Sequence, residues 1–188
     1  MPKIDEEIHY DGVTKKVARL GLGGLLDEIR AIVTGFELRV AEQRDANGGA
    51  AVRKMLDRRF ENAKGWTFKK TGDVDWTKCH VVNGTSLCVG VEIQFSARSD
   101  LLVIDLIHLR KAIDDGRIDL AVLVVPTDRL AYFLTDRGPK MSDAQRHVEA
   151  ARVEDLPIAL IALEHDGAGP RLPKQAKRSG ELTDRLGE

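Results

Sequence analysis

At 188 residues the chain has the length of one domain with a genuine core. It is 43% hydrophobic and 31% charged, the profile of an ordinary globular protein. A formal charge of −1 leaves no global basic signature, which argues against a nonspecific, charge-driven nucleic-acid binder and confines any such attraction to local patches. No stretch approaches the roughly 18 apolar residues of a membrane span. The start, Met-Pro-Lys-Ile-Asp-Glu-Glu, lacks the basic and apolar regions of a secretory signal. Two cysteines do not make a disulfide framework, and the expectation is a cytoplasmic, reduced protein without a membrane partner.

In chain order, residues 1–49 read as a helical N-terminal region. Val13–Leu20 and Leu25–Val33 carry apolar residues at three- and four-residue steps, separated by Gly21-Leu-Gly-Gly24. No apolar strand leads into that glycine run, so it reads as a helix–helix joint rather than a phosphate loop. Phe36–Val40 has the character of a short strand, and Asn47-Gly48-Gly49 that of a loop. Residues 50–63 form an amphipathic pattern, with Val52, Leu56, Phe60 and Ala63 on one stripe and Lys54, Asp57, Arg58 and Glu61 away from it.

Two strand-like runs follow, about 73–82 and 85–95, around Asn83-Gly84. Ser99 is placed to cap a helix carrying Leu102, Leu106, Leu109 and Ile113, which stops at Gly116. Ile118–Val125 is almost continuously apolar, as expected of a strand covered on both faces. A helix over about 142–152 and a second buried strand, Pro157–Leu163, complete the pattern. The order hairpin, helix, strand, helix, strand predicts an α/β domain with a mixed sheet, its second hairpin strand parallel to the 118–125 strand. The whole is read as a single domain, 1–188, with a core over 50–167 and a mobile tail over 168–188.

The hairpin register brings chemistry together. Asn-Gly between two alternating runs favours a two-residue type I′ turn. If Asn83 and Gly84 are that turn, Cys79 faces Cys88, Trp76 faces Val91, Asp75 faces Glu92 and Asp73 faces Gln94. Because side chains alternate along a strand, Val74, Trp76, Val89, Val91, Ile93 and Phe95 share a core face, and Asp73, Asp75, Glu92 and Gln94 share the other. A solvated face would mix charge signs. This one gathers three carboxylates and an amide. Like charges directly opposed repel, and a divalent cation between Asp75 and Glu92 converts the repulsion into ligation; such hard oxygen ligands suit Mg²⁺. A solvent-facing acidic patch without a metal is the alternative that register alone leaves open.

Asp75, then Val91-Glu92-Ile93-Gln94-Phe95, then Arg98-Ser99-Asp100 and a helix, resembles the BglII and BamHI type of restriction endonuclease, within the PD-(D/E)XK nucleases. That pattern is an Asp ahead of a strand bearing Glu-x-Lys; the BglII-like branch carries Gln for Lys, as Gln94 does. Gly116-Arg-Ile-Asp119 leading to Pro126, Asp136-Arg-Gly-Pro139 and Glu164-His-Asp-Gly167 extend the resemblance over roughly residues 50–167. It implies a restriction-endonuclease-like fold, a mixed central sheet flanked by helices, and a metal-dependent enzyme hydrolysing double-stranded DNA. Asp75 and Glu92 would hold Mg²⁺, with Mn²⁺ as a substitute and the backbone carbonyl of Ile93 completing the shell. Gln94 would orient water without taking its proton. A further carboxylate from the preceding helix is Glu61 by position, although the helical wheel sets it opposite the buried stripe. Asp73 reads equally as a supporting residue or a solvated one.

By the same resemblance, Arg98, Ser99, Arg137 and Lys140 lie in loops that face DNA, since Arg reads guanine and Arg, Lys and Ser grip phosphate; each taken singly also reads as solvated surface. A palindromic site predicts a homodimer. A non-cleaving DNA binder on the same fold, admitted by Gln94, and a repair or mobile-element nuclease are the alternatives. Cys79 and Cys88 face each other at a geometry that permits a bridge, but reduced thiols are the expectation. His165-Asp166 at the end of the last strand reads as a structural hydrogen-bonding pair.

Overall fold

A computed structural model describes residues 1–68, 74–96, 98–135, 138–151 and 155–174. Asp73, Arg137 and the last part of the tail, 175–188, lie outside these. A six-stranded mixed sheet runs through the centre in the order β1-β7-β6-β5-β4-β3. Its strands are β1 (Lys3–His9), β3 (Thr67–Phe68), β4 (Trp76–Val82), β5 (Thr85–Ile93), β6 (Leu120–Pro126) and β7 (Ile158–Glu164). A small parallel pair, β2 (Arg39–Val40) and β8 (Gly167–Ala168), stands apart. As the expected crossovers require, β5, β6 and β7 are parallel neighbours.

The parallel strands are apolar almost throughout because helices cover both faces. On one face, α2 (Gly23–Thr34) and α3 (Gly49–Asn62) pack Leu26, Ile29, Val52, Leu56 and Phe60 against Val91, Ile93, Val122 and Ile161. On the other, α4 (Leu102–Asp114) and α6 (Met141–Ala150) pack Leu102, Leu106, Leu109 and Val148 against Ala121, Leu123 and Leu160. The period-2 alternation of β6 feeds the two cores in turn. This is the expected arrangement of a mixed sheet between helices.

The N-terminal region is not helical throughout. Lys3–His9 adds an antiparallel edge strand to β7 ahead of α1 (Val13–Leu20). Its Lys-Ile-Asp-Glu-Glu-Ile-His has too few apolar residues to show a strand period, and edge strands tolerate such charge. Gly21 ends α1 in the left-handed conformation (φ 69°), its amide returning to Val17, which makes the glycine run a helix joint. Ser99 does not cap α4. It opens a short 3₁₀ turn, Ser99–Leu101, whose side chains make no capping bond. The six-residue helix α5 (Asp128–Phe133), capped by Thr127, was not anticipated from the sequence. The first residues after Gly167 are tied down: the Gly169 amide donates to Val40 and the Leu172 amide to the Asn47 side chain.

Candidate active site

Hairpin β4–β5 has the expected register, with Val82 opposite Thr85, Cys79 opposite Cys88 and Trp76 opposite Val91. Asn83 and Gly84 both have positive φ (49° and 81°), as a type I′ turn demands. Cys79 and Cys88 are joined by a disulfide, which corrects the expectation of two free thiols. Their Cα atoms are 4.0 Å apart, at a position where the strands exchange no hydrogen bonds and side chains come closest.

The ladder ends at Trp76–Val91, and one residue earlier the chain bends. Val74 consequently departs from the expected core face: it packs with the α4 core, over the bare Cα of Gly90, where an added Cβ would lie 2.9 Å from it. The bend aims Asp75 inward. Its Oδ2 accepts the Ile93 amide (2.9 Å), and its carboxylate lies against that of Glu92. Glu92, 4% exposed, is roofed by α4, so the acidic face is interior rather than solvated. Burial first, then Asp75 and Asp105, push the Glu92 carboxyl up to about 11. Among the described residues, Glu92 Oε1 has no hydrogen-bond partner.

Helix α4 brings two more groups to this spot. Asp105 accepts from the Gln94 side chain (Oδ2, 2.5 Å), and burial raises its carboxyl despite that bond. Ligand atoms of Glu92, Asp105 and His108 all lie within 4.8 Å of one another.

Helix α3 closes the opposite side. Arg53 donates to both oxygens of Asp57 (2.9 Å each) and pairs with Asp75 Oδ1 (2.9 Å). It also donates to the Ile93 carbonyl, the very acceptor expected to complete a metal shell. Burial opposes the Arg53 charge, but Asp75 and Asp57 outweigh it and raise its pKa. Asp57, expected to lie away from the buried stripe, reaches the Trp76 indole N–H (3.0 Å). Trp76 in turn stacks on Phe60, with centroids 5.5 Å apart. Glu61 is exposed one turn further along; among the described residues, Asp57 is the α3 carboxylate bonded into this cluster. Gly49 sets how α3 seats: a Cβ there would lie 1.8 Å from the Phe95 carbonyl oxygen.

A buried glutamate with one unpartnered oxygen, neighbouring carboxylates and an amide at one strand end are donors of the kind a hard cation takes. Residues 22–163 match the model of the restriction endonuclease BglII/BglIII family. The chain belongs to this family. It is also similar to the type II restriction enzyme BamHI of Bacillus amyloliquefaciens, at 24% identity over 76% of this chain and 71% of that protein. The family's activity, site-specific cleavage of DNA, is this chain's activity, and restriction endonucleases generally depend on divalent metal.

Of the residues expected to face DNA, Arg98, Ser99 and Lys140 lie among the described ones. Arg98 is exposed and forks onto Asp100 (2.9 Å twice), an exposed pair easily exchanged for another anion. Ser99 is half-buried in its 3₁₀ turn, and Lys140 precedes α6, its carbonyl accepting the Asp143 and Ala144 amides. His165 is buried between Glu164 and Glu42 (Nε2 to Oε1 2.9 Å), while Asp166 accepts the Leu38 amide. No helix among the described residues is long and apolar enough to cross a membrane.

Arg53, Asp57, Asp105 and His108 were missed from the sequence. A signal for Asp105 existed: it lies three residues after Leu102 and four before Leu109, on the flank of the buried stripe, with His108 one further turn along the same edge.

Proposed function

We propose that the chain cuts double-stranded DNA at a specific palindromic site, as a homodimer and with Mg²⁺ for which Mn²⁺ can substitute. The unpartnered, buried Glu92 Oε1 beside Asp75 carries this reading, because an anionic pocket of that kind gains its missing partner from a cation. Asp75 and Glu92 hold the ion. When bound, it supplies Lewis-acid polarisation of the scissile phosphate and acidifies a water. Gln94 orients the attacking water through its amide, itself fixed by Asp105, but has no basic atom to receive a proton. Asp57 takes the supporting role that position along the chain suggested for Glu61. Arg53 stands beside Asp75 as fixed positive charge where the phosphate's negative charge develops.

Arg98, Ser99 and Lys140, with Arg137, grip DNA along the loops that follow β5 and precede α6. Two copies related by a two-fold axis match the symmetry of a palindrome, and the exposed Ile104 and Ile107 of α4, with Leu101 of the turn before it, supply apolar surface for that contact. The cytoplasm, where the cell meets incoming DNA, is the matching location.

Incubating the protein with a plasmid of known sequence and Mg²⁺, with and without EDTA, tests the reading. Discrete fragments that vanish with EDTA support it. Retarded but intact DNA would instead favour a binder that no longer cuts.

A further inference from the structure

We propose that α4 is part of the metal centre: Asp105 and His108, together with Glu92, form a three-ligand site for a divalent cation. The inference rests on the proposed metal dependence and assigns ligands beyond the hairpin.

The half of the cluster facing α3 is already filled. Arg53 takes Asp57, Asp75 Oδ1 and the Ile93 carbonyl, so three acceptors there have a resident cation. The half facing α4 is different. Glu92 Oε1 is buried and has no partner, and Gln94 occupies Oδ2 of Asp105 but leaves Oδ1. His108, half-buried on the next turn of α4, brings an imidazole nitrogen within 4.8 Å of both carboxylates. An ion pair of His108 with Asp105 would account for those two side chains and still leave Glu92 Oε1 unanswered. A cation answers all three. Ligand bonds of about 2.0–2.2 Å at about 90–120° set neighbouring donors on one ion roughly 2.8–3.8 Å apart, so donors already within 4.8 Å of one another close by about 1–2 Å at most, a side-chain movement, to share one cation.

The spacing has a simple origin. Asp105 and His108 are three apart and therefore adjacent on one helix edge, and Leu102, Leu106 and Leu109 seat that edge against the sheet. A nitrogen ligand also changes the metal preference. Imidazole favours first-row transition ions over Mg²⁺, so Mn²⁺ should bind tighter than Mg²⁺.

Mn²⁺ binding to the full chain without DNA is the test, read by calorimetry and by pulsed electron paramagnetic resonance for ¹⁴N coupling. The unaltered protein should bind Mn²⁺ at least tenfold tighter than Mg²⁺ and show imidazole nitrogen coupling. His108→Ala should abolish the coupling and weaken binding about tenfold or more, and Asp105→Asn should weaken it similarly. The nitrogen signal is read on the unaltered protein, so it does not depend on how a variant folds. No Mn²⁺ binding, or binding without nitrogen coupling that His108→Ala leaves within twofold, would overturn the inference. If Glu92→Gln alone then abolished binding, the hairpin site would stand without α4. If Glu92→Ala kept full cleavage, the reading underneath would fail as well.

Discussion

Glu92 and Glu164 stand at the carboxyl ends of two parallel strands and are equally buried, each 4% exposed. Their surroundings are opposite. Glu164 receives the Thr127 hydroxyl (2.7 Å), the His165 amide (3.0 Å) and the His165 ring. Glu92 receives nothing at Oε1 and faces two further carboxylates. A saturated carboxylate binds its own chain together: Thr127 also caps α5, and His165 reaches Glu42 beside β2. An unsaturated one is held at a cost to the fold and becomes useful only with a ligand. Burial alone therefore does not separate structural from functional acids. Partner count does.

The sharpest break between the two is removal of each in turn. Glu92→Ala should lower the cleavage rate by about 10³-fold or more, roughly 4 kcal/mol of transition-state stabilisation, in a gel assay of plasmid digestion. Glu164→Ala should spare cleavage at low temperature but destabilise the protein by about 2–4 kcal/mol in urea melts, because it strands Thr127 and His165.

The contrast sharpens with pH. The Glu92 carboxyl is raised to about 11 from an ordinary 4.5, so the folded state keeps a proton the unfolded state releases. Stability in EDTA must then fall as pH rises through that interval. Glu92→Gln should remove the fall, and be more stable than the parent by roughly 2 kcal/mol or more at pH 8 in denaturant melts. An unchanged pH slope would mean that Glu92 is not the proton holder. The smallest effect is expected at Gln94: Gln94→Ala should cost about 10- to 100-fold in turnover while leaving DNA affinity, measured by gel shift in Ca²⁺, nearly unchanged.

Much of this was legible in the chain. Asn83-Gly84 fixed the hairpin register, and with it the meeting of Asp75 and Glu92, because turn chemistry and side-chain alternation are local rules. The parallel strands were legible from their unbroken apolar runs. What escaped depended on tertiary contact. Val74 left its expected face because the ladder stops at Trp76 and the chain bends. Asp57 on α3 looks solvated on a helical wheel until Trp76 comes within reach, and Arg53, beside the buried stripe, finds its partner in the Ile93 carbonyl only once the sheet is in place. The strand Lys3–His9 hides because β7 and a charged composition, not its own pattern, decide it. The register brings Cys79 and Cys88 within bridging distance, but whether two facing thiols are oxidised is not a property of strand pairing.

The missing side chain of Gly49 has a wider reach than its own position. Four helical residues advance about 6.0 Å and two extended residues about 6.7 Å. Gly49 and Arg53 on α3 therefore keep step with Phe95 and Ile93 on the strand side, each meeting one carbonyl like successive teeth of a rack and pinion. Any thickening at the first tooth lifts the second. The distance of the guanidinium from the carboxylates is thus gauged one helical turn away, by a residue that touches none of them.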